Sequence, residues 1–289
     1  MTRSLVALVA FGLLLASGGA ASAQAPWPAG VPWQPATYAV RGESPVATAT
    51  LATPDGPAYV AWIDHTAARL ALYPGLSEPP SAPVRGPAQI PSGERWRLLA
   101  TFNGGFKTES GSGGMVVNGV VDAPLRTGMG TVVAYRDGAV AILDWLGRTD
   151  PSKLALARQN LPPLVWNGHP SARAADSSLW GATLGGGQAV WRSGIGITLR
   201  GDLVYAAGDG QTAASLASLL VRLGAVRAVE LDINPEWPSF ITYRRRGGRD
   251  PVKLVPNAQQ TSTRYLSPDQ RDFFAVYTRL GGDNSVPFH

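Results

Sequence analysis

The residues best placed to do chemistry lie between Val226 and Phe240, VRAVELDINPEWPSF, where an apolar strand runs out into a loop carrying Asp232, Asn234 and Glu236. Polar side chains at the open end of a buried strand are where sites are usually built. Two carboxylates with a carboxamide between them suit acid–base work on a substrate, or coordination of a hard cation such as calcium through oxygen. The same residues have a plainer reading, in which Asp232 caps a turn and Glu236 is solvated.

Three further segments share this character. Leu99 to Phe106, LATFNGGF, is a strand ending in Asn103, Gly104 and Gly105. The carboxamide both donates and accepts, and the glycines let backbone approach a ligand closely, although NGG is also simply a good turn. Trp191 to Thr198, WRSGIGIT, sets Arg192 at a strand entrance, where a guanidinium either grips phosphate or sits as an exposed edge residue. Asp209, in Ala207 to Gly210, precedes a helix whose first amides suit an anion, and it serves equally well there as a cap.

These groups need elements to hold them. Thr212 as N-cap, leucines 216, 219, 220 and 223 at helical spacing, and Gly224 as a stop define a helix leading into the strand before Asp232. Thr131 to Tyr135 and Ala139 to Leu143 flank Asp137-Gly138, a tight-turn pair, and Gly194 to Leu199 pairs with Leu203 to Ala207 across Arg200-Gly201-Asp202. Ala58 to Ile63 and Arg69 to Tyr73 read as another hairpin. The prolines between Tyr73 and Gly93 require a long surface loop. Ser267-Pro268-Asp269-Gln270 has the signals of a helix start, which predicts a helix to about Tyr277 packing Phe273, Phe274 and Val276 on the sheets.

Composition bounds the class. Arg3, the apolar run Leu5 to Leu15 and Ala21-Ser22-Ala23 read as a secretory signal peptide over 1–23. An irregular lead-in over 24–36 and one domain over 37–289 follow, with no second apolar stretch near the roughly 20 residues a membrane span needs. Cysteine is absent, so neither a disulfide framework nor a thiol nucleophile is available. The charge of +5, mostly from arginine, favours anionic partners such as phosphate-bearing glycans or an anionic cell envelope. Nucleic acid is disfavoured: Arg244-Arg245-Arg246 and Arg249 accompany no DNA-binding motif and read as a solvated strand or loop face. His65, His169 and His289 are too scattered for a zinc site, and the familiar hydrolase and nucleotide-binding motifs are missing.

Taken in order from about Leu99 to Leu231, these segments resemble the phosphodiester glycosidase family, a secreted and lysosomal domain that includes the enzyme uncovering mannose 6-phosphate. Asn103 to Phe106 matches its N-G-G-F, and Met115 to Gly119 its V-x-N-G turn. Arg192 to Gly196 looks like its arginine-led strand, and Leu216 to Gly224 followed by Leu231-Asp232 its helix and strand ending in L-D. The order and spacing carry the resemblance rather than any one motif. Where family members continue L-D-G-G-G-S, this chain reads Leu231-Asp232-Ile233-Asn234-Pro235-Glu236-Trp237, and Lys107 replaces a second phenylalanine. A divergent pocket is expected.

The resemblance implies hydrolysis at a sugar anomeric carbon with phosphate as leaving group. Asp232, Arg192, Asn103 and Glu236 would be the catalytic set, and Gly104, Gly105, Asp209, Asn234 and Trp237 would line the substrate. The rival reading is a non-catalytic envelope protein that binds a glycan or anionic polymer with Trp180, Trp191 and Trp237. The expected fold is a single α+β domain of twisted mixed sheets with a few flanking helices, with Asn103, Arg192 and Asp232 converging.

Overall fold

The computed structural model describes residues 27–83, 86–181 and 186–279. The signal segment over 1–23, the first residues of the lead-in and His289 lie outside the described residues. In chain order the strands are β1 (Gln34–Pro35), β2 (Val46–Thr53), β3 (Gly56–Ile63), β4 (Ala68–Tyr73), β5 (Leu98–Asn103), β6 (Met115–Val117), β7 (Val120–Ala123), β8 (Gly130–Tyr135), β9 (Val140–Asp144), β10 (Leu154–Gln159), β11 (Val165–Trp166), β12 (His169–Pro170), β13 (Val190–Thr198), β14 (Leu203–Gln211), β15 (Ala225–Glu230), β16 (Phe240–Arg245), β17 (Arg249–Lys253) and β18 (Phe273–Thr278). The helix α1 (Ala213–Arg222) lies between β14 and β15.

They form three sheets: an eight-stranded sheet β1-β2-β3-β14-β13-β15-β11-β12, and two five-stranded sheets, β7-β6-β10-β8-β9 and β17-β16-β5-β18-β4. Every described strand pair is antiparallel. The protein is mainly β, so the α+β expectation fits loosely and the expected mixed sheets are antiparallel ones. The helix signals at Thr212 are borne out: its hydroxyl accepts from the Ser215 amide at 3.1 Å and Ser215 reciprocates, closing a capping box.

Hydrophobic burial joins the three sheets on the inner face of the largest. Ile195, Tyr205 and Val229 meet Phe102, Phe240 and Phe274 from one small sheet and Val132 and Leu156 from the other. The Phe102 ring lies 5.0 Å from Phe274 and 5.7 Å from Phe240, centroid to centroid. The outer face of the large sheet is covered by Leu216, Leu219 and Leu220 of α1, packed on Val204, Ala228 and Trp180.

Two expected hairpins form, β8 with β9 and β13 with β14. The third does not: β3 pairs with β2 and β14, whereas β4 crosses into another sheet to pair with β18. The short connection between them is still a turn, with the amides of Ala67 and Ala68 donating to the Asp64 carbonyl at 3.3 and 2.9 Å, but it hands the chain from one sheet to another instead of folding it back on itself. The expected terminal helix is also overturned. Phe273 to Thr278 is a strand with all six residues buried between β5 and β4. Its aromatic and β-branched run suits a strand buried on both faces, and that preference outweighs the cap-like residues before it. No helix among the described residues is long and apolar enough to cross a membrane. Thr212→Ala should cost about 1 kcal/mol in a urea melt, with Thr212→Ser close to wild type; an unchanged midpoint for the alanine variant would mean that packing alone sets the helix start.

Candidate active site

Antiparallel register brings the ends of several strands to one place. Phe273 pairs with Asn103, Phe240 with Phe102, and Gly194 with Glu230, while β10 ends at Gln159 beside the same junction. The loop after β15 starts here, and so does the approach to β18. Charged side chains that enter this junction are buried and therefore have to be paired.

Three arginine–carboxylate pairs result. Arg158 grips Asp272 with two bonds, Nε to Oδ2 at 2.8 Å and Nη2 to Oδ1 at 3.2 Å. Arg271 Nη2 donates to Asp232 Oδ2 at 2.9 Å and to the Gly105 carbonyl at 2.7 Å. Arg192 Nη1 donates to Glu230 Oε1 at 2.5 Å, and its remaining donors reach the carbonyls of Trp180, Gln188 and Gln211. The glycines of the NGG segment are needed for this packing. A Cβ on Gly104 would lie 2.0 Å from Asp272 Oδ2, and one on Gly105 would lie 2.7 Å from Asn160 Oδ1. The close approach expected toward a ligand is made instead to the protein's own side chains.

Asn103 and Asp232 meet as expected. Asn103 Nδ2 donates to Ser193 Oγ at 3.0 Å, and Ser193 Oγ donates to the Asp232 carbonyl at 2.7 Å. Asn103 Oδ1 accepts from Tyr205 Oη and the Ser239 amide, both at 3.0 Å. With its other amide hydrogen on the Gly104 carbonyl, the Asn103 carboxamide is fully occupied in joining β5, β13, β14 and the Ser239 segment. Arg192 does not join this group. It shares a strand face with Gly194, which looks onto Leu216 and Leu220 of α1, whereas its neighbour Ser193 points inward.

Burial dominates the titration of both acids. It pushes Asp232 up from 3.8 to about 6, with Arg271 and the Asn234 amide pulling back and the Asp272 charge adding to the rise. It raises Glu230 to about 8, against the pull of Arg192 and with a small push from Asp232. Glu230 Oε2 is buried without a hydrogen bond, an arrangement easier for a neutral carboxyl than for a carboxylate. Asp232 is thus a carboxyl that changes charge near neutral pH beside a fixed cation.

The remaining expected residues are more dispersed. Asn234 and Glu236 are exposed, and Asn234 Oδ1 accepts the Glu236 amide at 3.1 Å. Asp209 is exposed and caps the Gly210 amide. Trp237 is half-buried, with the Arg264 and Arg271 guanidiniums 5.1 and 5.2 Å from its ring. Trp180 is fully buried and Trp191 stacks on Tyr59, so of the three tryptophans only Trp237 stands at the junction. The Asp232 oxygens accept from Arg271 and the Asn234 amide. Among the described residues, the His and acid group with ligand atoms close enough for a metal is Asp64, His65 and Asp202, at the opposite end of the large sheet.

Sequence reasoning missed Arg158, Asn160, Glu230, Arg271 and Asp272. A signal was present: Arg158-Gln159-Asn160 follows an apolar strand as Asp232 follows another, and Arg271-Asp272 precedes Phe273. Reading the latter as the first turn of a helix concealed it.

Residues 97–232 match the family model described as phosphodiester glycosidase. Among solved structures, the catalytic domain of zebrafish N-acetylglucosamine-1-phosphodiester alpha-N-acetylglucosaminidase, auto-inhibited by its pro-peptide, superposes with a TM-score of 0.53 at 13% identity. The match covers 86% of this chain and 88% of that one. At that identity the likeness is one of fold. A hypothetical protein from Synechocystis has a TM-score of 0.46 at 14% identity, covering 83% of this chain and 63% of its own. An exported protein from Burkholderia pseudomallei K96243 has 0.40 at 14%, covering 82% and 75%. No curated protein matches significantly.

Arg158→Met leaves Asp272 buried without its partner and should destabilise the fold by about 3–5 kcal/mol in chemical denaturation; a loss under about 1 kcal/mol would show that the pair is not buried in solution. The raised pKa of Asp232 means that its contribution to stability is full below about 3.8 and is lost as pH rises through about 6. The stability of wild type relative to Asp232→Asn should therefore fall between those pH values. A difference that is flat or rises with pH would contradict the assigned environment.

Proposed function

With the match to the phosphodiester glycosidases over residues 97–232 as premise, we propose that this protein is an extracytoplasmic hydrolase. It cleaves a sugar-1-phosphodiester within an envelope or extracellular glycan. The observation that carries the proposal is Asp232 held near neutral titration against Arg271, in the L-D position of the family motif. A phosphate leaving group departs as an anion and needs little protonation, so the chemistry calls for a base or nucleophile beside a cation more than for a strong general acid.

In this mechanism ionised Asp232 attacks or activates water at the anomeric carbon, and Arg271 stabilises charge developing on the departing phosphate. Trp237 forms a wall for the sugar, stiffened by Arg264, which is itself fixed by Asp269 at 2.6 Å. Asn103 and Ser193 act as positioning residues, since their hydrogen bonds hold the Asp232 backbone. Arg192 likewise acts through Glu230 by fixing the end of β15. Glu236 and Asn234, exposed on the Asp232 loop, are placed to contact the part of the substrate outside the junction. The Ile233-Asn234-Pro235-Glu236 sequence makes this loop bulkier than a glycine run, and a restricted aglycone follows from that.

The full chain should hydrolyse an N-acetylglucosamine 1-phosphodiester or a related glycosyl phosphodiester. Asp232→Asn should lower kcat at least ~100-fold, with a melting profile showing that the variant is folded. Turnover that survives in Asp232→Asn would refute the assignment of that residue. Tight glycan binding without turnover by wild type would favour the non-catalytic reading.

A further inference from the structure

The arginine run that the site does not use becomes part of a defined surface in the fold. Arg244, Arg245, Arg246 and Arg249 are all exposed at the tip of the β16–β17 hairpin. Among the described residues none of the four forms an ion pair with a carboxylate. The tip is fixed rather than free: the Gly247 amide donates to the Arg95 carbonyl at 3.0 Å, and Arg249 Nε donates to the Arg246 carbonyl at 2.9 Å. That anchoring sets Trp96 beside the arginines, and Trp96 is 46% exposed. Arg246 lies 4.6 Å from the Tyr38 ring and reaches the Trp96 carbonyl at 3.4 Å. Exposed guanidiniums at the tip, next to a backbone that carries an exposed indole whose ring lies 5.7 Å from the Arg97 guanidinium, are complementary to a chain that alternates phosphate with sugar, because guanidinium grips phosphate and a flat aromatic face packs on a pyranose.

The position of the patch gives this a direction. Strand β16 begins one residue after Ser239, at the junction that holds Asp232, and ends at Arg245. At about 3.3 Å per residue, the tip lies roughly 17–20 Å from the site. A single phosphodiester cannot touch both, but a polymer of several sugar phosphates can.

We propose that the Arg244–Arg249 hairpin tip with Trp96 is a secondary binding surface for a phosphodiester-linked glycan polymer, so that the physiological substrate is polymeric rather than a small phosphodiester. The nature of the polymer rests on the phosphodiester reading of the Asp232 site, whereas binding at the tip is measured separately from turnover. The probe is a fluorescent poly(N-acetylglucosamine 1-phosphate), titrated against the full chain carrying Asp232→Asn. The same background carrying Arg244→Gln, Arg245→Gln and Arg249→Gln together, or Trp96→Ala, is titrated alongside.

At about 0.1 M salt the triple variant should bind about tenfold more weakly or worse, with a flatter salt dependence, and Trp96→Ala should also weaken binding. In the catalytically intact chain the triple change should raise KM for the polymer, leaving kcat and KM for a small sugar phosphodiester unchanged. Because the four positions are exposed, the melting temperature should hold. Polymer binding unaffected by the triple change would overturn the proposal. So would double-stranded DNA of equal phosphate number binding as tightly with no effect of Trp96→Ala, which would reduce the patch to general polyanion attraction. Patch-dependent binding in a chain that turns over neither substrate would sustain the surface and defeat the hydrolase reading instead.

Discussion

Charges buried in pairs are the constraint on which the rest of the structure depends. An ion taken from water into a protein interior costs several kcal/mol unless a partner and further hydrogen bonds replace its hydration. Three sheets meet at the junction; Arg158 and Arg271 enter it from β10 and from the approach to β18, while Arg192 of β13 pairs with Glu230 on the side of the large sheet that faces α1. Each finds its carboxylate on another segment. The pairs therefore hold only if the strand ends are in register, and the glycines at 104 and 105 are what let the backbone lie between them.

The same arrangement sets the titration of Asp232. Asp232 is drawn in two directions, by burial that favours its neutral form and by Arg271 that favours its charged form. The balance leaves it near the pH at which a group can both take up and release a proton. Asp272 is held through both oxygens by one guanidinium, Arg158, and the Asn103 carboxamide joins β5 to its neighbours. The exposed Asn234–Glu236 turn is braced by Asn257, which donates to the Pro235 and Glu236 carbonyls at 3.0 and 2.9 Å.

Much of this was legible in the sequence where signals were local. The cap at Thr212, the Asp137-Gly138 turn and the strand leading to Asp232 rest on neighbouring residues and formed as expected. Features that depend on distant partners were not legible. Ala58 to Ile63 and Arg69 to Tyr73 look like a hairpin, yet which strand pairs with which is decided by the whole core. Phe273 to Thr278 carried a helix start signal, but its two buried faces favour a strand. Arg192 was expected beside Asp232, and the alternation of side chains along β13 turns it toward α1 instead. The partners of Asp232 and Asp272 lie 39 and 114 residues away in sequence, beyond the reach of any motif.

On the proposed mechanism, Asp232, poised by Arg271, is the group whose ionisation limits hydrolysis. The most direct test is the pH dependence of kcat/KM on a soluble sugar 1-phosphodiester, for wild type and for Arg271→Gln. Wild-type activity should rise as pH passes through about 6. In Arg271→Gln the same limb should move to higher pH, because the cation that favours the carboxylate is gone. A wild-type limb far from that value, or one that Arg271→Gln leaves in place, would contradict it.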